Sequence, residues 1–272
     1  MASLGDTRLK IHQIMEAPER WQLPRQYLGG SQLNHPCARY LWYTFRWCYK
    51  SPIHPRNERI FERGHLEEPR VIRDLIKHDM TVSDSQKELD IFMGHIKAHP
   101  DGVVHNVPDA PKTPHLLEIK TMANKYFVKV KKNGVQEEHQ VYYGQAQTYM
   151  GEMGLTRGLF IITNKDNEDR YYERVKFDPG MHEMLNMKGI DIVTTEVPPP
   201  KIGNSDWYEC KMCDAARICH FDRYKLKTCR TCTKVSMMPE GKWRCNVNCI
   251  DLSLKNQEEA CMEYEPLRFL NG

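Results

Sequence analysis

The spacing of apolar positions changes several times along the chain, and the changes separate helical from strand-forming stretches. Over the first hundred residues the pattern is mainly helical. Residues 40–49 form an aromatic-rich segment, and from Arg59 the positions Ile60, Phe61, Gly64, Val71, Ile72 and Leu75 roughly follow a helical stripe. The aromatics read as core. From Lys87 the period shortens towards two, so residues 88–104 and 115–122, parted by a Pro-rich turn, predict strands paired antiparallel around a polar loop. A helix over 141–153 follows, then a strand pair, 159–164 and 171–177, joined by a turn at 165–168. Helix, sheet, helix, sheet predicts an α/β (α+β) fold with a mixed central sheet flanked by helices.

Three prolines at 198–200 open a stiff connector that runs to Ser205. Eight of the ten cysteines lie beyond it. The expected division is a core over 1–205, a cysteine segment over 206–222 that closes the core, and a metal-bearing module over 223–272.

Among the 272 residues, 39 Lys and Arg face 36 Asp and Glu, an excess of +3 that is too small to indicate a polyanionic partner. The distribution says more, because Arg25, Arg39, Arg46, Lys50, Arg56, Arg59, Arg63 and Arg70 crowd one stretch and Lys125, Lys129, Lys131 and Lys132 another. Neither a signal-peptide core at the start nor an apolar run long enough to span a bilayer is present in the sequence, which leads us to expect a cytoplasmic protein without a membrane partner. Disulfides are not expected in that compartment. The cysteine spacing then points to metal.

The strongest chemical signal is Pro100-Asp101-Gly102 followed by Glu118-Ile119-Lys120 inside an apolar strand. Residues two apart on a strand share a face, so Glu118 and Lys120 point one way and Ile119 the other. If the neighbouring hairpin strand ends at Asp101, two carboxylates converge to hold a divalent cation through oxygen, as Mg²⁺ or Mn²⁺ prefers. Lys120 would then orient or help deprotonate an attacking water and offset charge in the transition state.

Here the sequence resembles the PD-(D/E)XK nuclease superfamily, with a restriction-endonuclease-like core. Gly64-His-Leu-Glu-Glu68 is similar to the Gly-x-x-x-Glu of lambda exonuclease and its relatives, which implies Glu68 as a third, helix-borne metal ligand. Gln145-Ala-Gln-Thr-Tyr149 is similar to the Gln-x-x-x-Tyr of RecB-like nucleases. Four apart, Gln145 and Tyr149 lie on one helix face, able to touch a phosphate and Lys120 together. Each motif alone has an ordinary explanation, such as a surface carboxylate, a solvated glutamine or a hairpin turn. The family order of all four favours the resemblance, which covers roughly residues 30 to 180.

Cys210, Cys213 and Cys219 stand at C-x2-C-x5-C spacing, close enough for one metal centre, and need a fourth ligand. The segment 31–43 around Cys37 resembles the lone-cysteine segment of AddB and of the CRISPR adaptation nucleases. That resemblance implies a [4Fe-4S] cluster on Cys37, Cys210, Cys213 and Cys219. The alternative is zinc on the three late cysteines with His220. Further on, Cys229, Cys232 and Cys245 read as a zinc ribbon whose fourth ligand is Cys249 or Cys261. Similarity to the tails of phage-encoded nucleases of the superfamily favours Cys261.

The resemblance implies a Mg²⁺- or Mn²⁺-dependent deoxyribonuclease, an exonuclease serving phage-type recombination, repair or DNA degradation beside a single-strand annealing protein. The rivals are an endonuclease or flap nuclease with the same site, and a non-catalytic zinc-ribbon DNA-binding protein.

Overall fold

The computed structural model describes residues 4–16, 21–52, 54–222 and 226–267. The central sheet has five strands in chain order across its width: β1 (Thr81–Ser83), β2 (Gly102–His105), β3 (His115–Met122), β4 (Arg157–Asn164) and β5 (Arg170–Lys176). All neighbours are antiparallel except β3 and β4, which pair in parallel from Leu116 opposite Gly158 to Met122 opposite Asn164. A parallel pair requires a crossover, and the chain supplies one with three helices, Asn124–Asn133, the short Val135–Glu138 and Gln140–Met153. The sheet is therefore mixed and flanked by helices, as the pattern predicted.

Five helices matter below: α1 (Ala38–Phe45), α2 (Pro55–Lys77), α3 (Asn124–Asn133), α4 (Gln140–Met153) and α5 (Pro179–Thr194). α2 starts one turn earlier than the stripe indicated, because Pro55 occupies its first turn, where the missing N–H costs nothing. Its Val71 and Leu75 cover one face of the sheet against Leu117, Ile119, Leu159 and Ile161. On the other face, α3 and α4 pack Phe127, Val130, Ala146 and Met150 against Leu116, Phe160 and Ile162. Strand β3 is thus covered on both sides, and five of its residues from His115 are buried in succession.

A third core joins the two ends of the chain. It collects Leu41, Trp42 and Phe45 of α1, Ile192 and Val193 of α5, Ile218 of the cysteine segment, and Trp243 and Leu267 of the tail. The aromatics of 40–49 are accordingly core, and Trp243, fully buried, is a packing residue. Two buried arginines tie the seam. Arg230 donates to the carbonyls of Gln26 at 2.8 Å and Phe45 at 3.1 Å and lies over the Trp47 ring at 3.8 Å, while Arg46 donates to the carbonyl of Thr195 at 3.0 Å. Phe45 and Thr195 stand at the C-terminal ends of α1 and α5, where carbonyls lack helical partners and carry negative partial charge, so guanidinium groups serve there as caps. The tail strands Val235–Met237, Trp243–Cys245 and Ile250–Asp251 form a small antiparallel sheet docked on this core, with Gly241 donating to the Met93 carbonyl at 2.8 Å. No helix among the described residues is long and apolar enough to cross a membrane.

Candidate active site

The β2–β3 register places Gly102 opposite Leu117, so Asp101 enters beside Glu118 at the end of the hairpin. Asp101 Oδ2 accepts the backbone N–H of Ile119 at 2.7 Å, which locks that carboxylate against β3. On the α4 side of the strand, Lys120 Nζ donates to Glu118 Oε2 at 2.7 Å and stands 3.9 Å from Asp101 Oδ2. Gln145 of α4 donates to the same Glu118 oxygen at 2.9 Å. Tyr149, one turn on, is buried close to both Glu118 and Lys120. Gln145 thus reaches the carboxylate, where the sequence motif had suggested contact with the lysine.

From the opposite side α2 contributes Glu68, and Gln86 links it to Asp101: Gln86 Nε2 donates to Glu68 Oε2 at 3.1 Å and to Asp101 Oδ1 at 3.4 Å. The adjacent Glu67 turns away from the cluster. It is 4% exposed and accepts from Thr163 at 3.0 Å, Arg70 at 2.8 Å and Arg170 at 3.3 Å, pinning α2 to strands β4 and β5. One helical step separates the two glutamates by about 100°, enough to give one an anchoring place and the other a place in the cluster. His65 is exposed and stands 3.6 Å from Glu68 Oε1, and His99 faces Glu88 at 3.5 Å.

The electrostatics follow from this packing. Burial pushes the Glu118 carboxyl up to about 7, against the pull of Lys120, and nearby Asp101 adds to the rise. Burial also raises Glu68, and Asp101 reinforces it. Burial alone would lower Lys120, but Glu118 and Asp101 together hold its ammonium protonated well above the usual lysine range. Tyr149 is raised by burial and by Glu118, so it stays a neutral phenol.

Glu118 Oε1 is buried without a hydrogen-bond partner. A carboxylate oxygen left so is costly unless something positive meets it, and Glu118, Asp101 and Glu68 together offer an all-oxygen donor set of the kind that suits Mg²⁺ or Mn²⁺. The residues fit a divalent cation. As the side chains stand, no three His, Cys, Asp or Glu among the described residues are drawn into metal-binding geometry. At the carboxylates, the Gln86 amide lies between two of them.

The two expected cysteine sets each line a small cavity, although none of them stands in metal-binding geometry among the described residues. Cys37, Cys210, Cys213 and Cys219 line one small cavity with Tyr40, Tyr43 and Lys201, and His220 lines it too. Cys37 caps α1, its sulfur accepting from the Tyr40 N–H at 3.3 Å. Cys213 is pushed up to about 11 by burial and by the nearby Cys37 and Cys219, while Arg39 and Lys201 oppose the rise at Cys219. A second cavity is lined by Cys229, Cys232, Cys245 and Cys261. Cys249 is exposed outside it, its thiol directed at the Asn246 carbonyl.

Sequence reasoning missed Gln86, which no motif marks, and Glu67, whose role comes from its partners on distant strands.

No protein-family model and no curated protein matches this chain. Among solved structures, the alkaline exonuclease of Laribacter hongkongensis overlaps 61% of this chain and 86% of its own at 19% identity and a TM-score of 0.47. A phage-related exonuclease from Haemophilus somnus overlaps 57% of this chain and 77% of its own at 10% identity and a TM-score of 0.41.

Proposed function

We propose that this protein is a Mg²⁺- or Mn²⁺-dependent DNA nuclease that hydrolyses phosphodiester bonds, working as an exonuclease. The observation that carries the reading is the unpartnered, buried Glu118 Oε1, on a carboxylate whose other oxygen is held by Lys120, with Asp101 beside the same lysine and joined to Glu68 through Gln86. A purely structural ion pair has no use for it. A bound divalent cation would polarise the phosphate and activate water. The chain's own part is to hold Glu68, Asp101 and Glu118 as ligands and to keep Lys120 charged beside the site of attack. Gln145 fixes the second oxygen of Glu118, which leaves the first for the metal. Tyr149 stays uncharged beside the Glu118 and Lys120 pair, and the Tyr142 ring lies 5.5 Å from the Lys120 ammonium.

The exonuclease assignment, with DNA as substrate and a single-strand annealing protein as partner, rests on the resemblance of the four motifs to lambda exonuclease and RecB-like enzymes. In this reading Cys37, Cys210, Cys213 and Cys219 carry a [4Fe-4S] cluster, with zinc and His220 as the alternative, and Cys229, Cys232, Cys245 and Cys261 carry zinc. The cytoplasm is the proposed location, and the core over 1–205, the closing segment over 206–222 and the module over 223–272 are the proposed divisions.

The test is digestion of end-labelled linear DNA and of a covalently closed circle, with Mg²⁺, Mn²⁺ or Ca²⁺ added. Mononucleotides released from the linear substrate alone, dependent on Mg²⁺ or Mn²⁺ and abolished by Glu118→Gln, is the expected outcome. Cutting of the circle would replace the exonuclease with an endonuclease. No hydrolysis under any of these conditions would overturn the proposal.

A further inference from the structure

Gln86 belongs to a short loop after β1 whose backbone is unusual. Asp84 and Gln86 both take the left-handed conformation, at φ of 52° and 55°, a region that costs an L-residue roughly 1 kcal/mol or more. The turn is held by Lys87 N–H to the Asp84 carbonyl at 3.2 Å, and the Gln86 N–H donates to the Pro100 carbonyl at 2.9 Å, next to Asp101. Gly102 permits the close approach. A Cβ there would stand 2.8 Å from Val82 Cγ1 and 3.1 Å from the Ser83 carbonyl, at a φ of 155°. Two left-handed residues and a glycine therefore converge on one result, an amide side chain laid against two carboxylates.

The oxygens it meets are those without other work. Asp101 Oδ2 is taken by the Ile119 N–H, and Glu118 Oε2 by Lys120 and Gln145. What remains on the cluster is Asp101 Oδ1, Glu68 Oε2 and Glu118 Oε1. Gln86 Nε2 touches the first two, and the third has no partner. An ionised carboxylate only accepts hydrogen bonds, so the amide must present its NH₂ group to both. That group carries partial positive charge and relieves the repulsion between neighbouring carboxylates. A divalent cation placed among the same oxygens would repel it.

Resting on the reading of the cluster as a metal site, we infer that Gln86 is a neutral plug of that site: its amide holds Glu68 and Asp101 in the metal-free protein, and an arriving divalent cation displaces it. Metal binding is then an exchange, cation for amide, and the side chain sets the cation concentration at which the site fills. Displacement also frees a donor and an acceptor on the exposed side of the cluster, where Gln86 faces solvent and could meet a phosphate of the substrate.

The inference separates from a simple ligand role by its sign. Gln86→Leu keeps the bulk of the side chain and deletes the competing donor. Titration calorimetry of the full-length, DNA-free protein with Mn²⁺ should show binding that is tighter by roughly three- to tenfold, the worth of about one lost hydrogen bond at an open site. The thermal midpoint without divalent cation should fall, since the two carboxylates lose their shared donor, while the Mn²⁺-saturated midpoint stays at the wild-type value. Gln86→Asn, too short to bridge, should behave like Gln86→Leu. Weaker or unchanged Mn²⁺ binding in Gln86→Leu overturns the plug. Glu118→Gln is the control: if it binds Mn²⁺ as the wild type does, the carboxylates are not the metal site and the proposed function itself falls. If Glu118→Gln loses binding and Gln86→Leu leaves it unchanged, only the plug is lost.

Discussion

Replacing Lys120 with methionine should leave a signature in the pH dependence of stability as well as in activity. In the wild type the Glu118 carboxyl sits at about 7, above the ordinary 4.5, because it is buried. A carboxyl raised on folding gives its full stability below the unfolded value and loses it as pH rises to the folded value. Over that window the loss runs at about 1.4 kcal/mol per pH unit, roughly 3 kcal/mol in all. Above about pH 7 the wild type loses nothing more from this group. Lys120→Met deletes the ammonium 2.7 Å from Glu118 Oε2, in a place where Glu118 is 1% exposed. Its carboxyl must then rise further, so the variant should go on losing about 1.4 kcal/mol per unit above pH 7. Urea denaturation without added divalent cation, at steps from about pH 6 to about pH 9, measures the difference directly. Stability curves that run parallel above pH 7 would refute the argument, since the ammonium would then not be what holds Glu118 ionised. Cleavage should fall by about a hundredfold or more in the same variant, and undiminished turnover would remove Lys120 from the chemistry.

Cys37→Ser should abolish the brown colour and the broad visible absorption expected of anaerobically purified protein; if the protein is colourless, contains zinc at that site and is indifferent to Cys37→Ser, the His220 alternative holds. Cys261→Ser should release about one zinc per chain whereas Cys249→Ser should not, and the reverse pattern in metal analysis would assign the ribbon to Cys249. Trp243→Ala should cost about 3–5 kcal/mol of stability, as a fully buried tryptophan does. A loss of under about 1 kcal/mol would mean that the tail does not share the core.

What could be read from the sequence was whatever has a local cause. Glu118 and Lys120 stand out because two charged residues interrupt an apolar strand at alternating positions, and the strand forms where the alternation says. Other elements depend on distant partners. Helix α3 hid behind the basic run Lys125, Lys129, Lys131 and Lys132, although Phe127 and Val130, three apart, are the face it buries. Helix α5 buries only Leu185, Gly189, Ile192 and Val193 along sixteen residues, too thin a stripe to declare itself. The parallel pairing of β3 with β4 has no signature within either strand, since both are buried almost throughout and neither sequence states its partner. Glu68 could be told from Glu67 only by motif spacing, whereas the structure distinguishes them by the Thr163, Arg70 and Arg170 contacts of Glu67. Gln86 was out of reach because its placement depends on two left-handed residues that propensity disfavours.

The buried seam between Arg230 and Phe45 spans 185 positions of chain. Strands β2 and β3, whose pairing brings Asp101 beside Glu118, are close neighbours in sequence and can pair while synthesis is still under way. The aromatic core cannot close until residue 243 has emerged, so the face of Phe45 that Trp243 covers stays open until then. The nascent protein therefore builds its sheet first and seals its ends last, and its most aggregation-prone interval falls between those two events. Lowered temperature, which weakens association of exposed apolar surface, should act on that interval, raising soluble yield without any change in the finished fold.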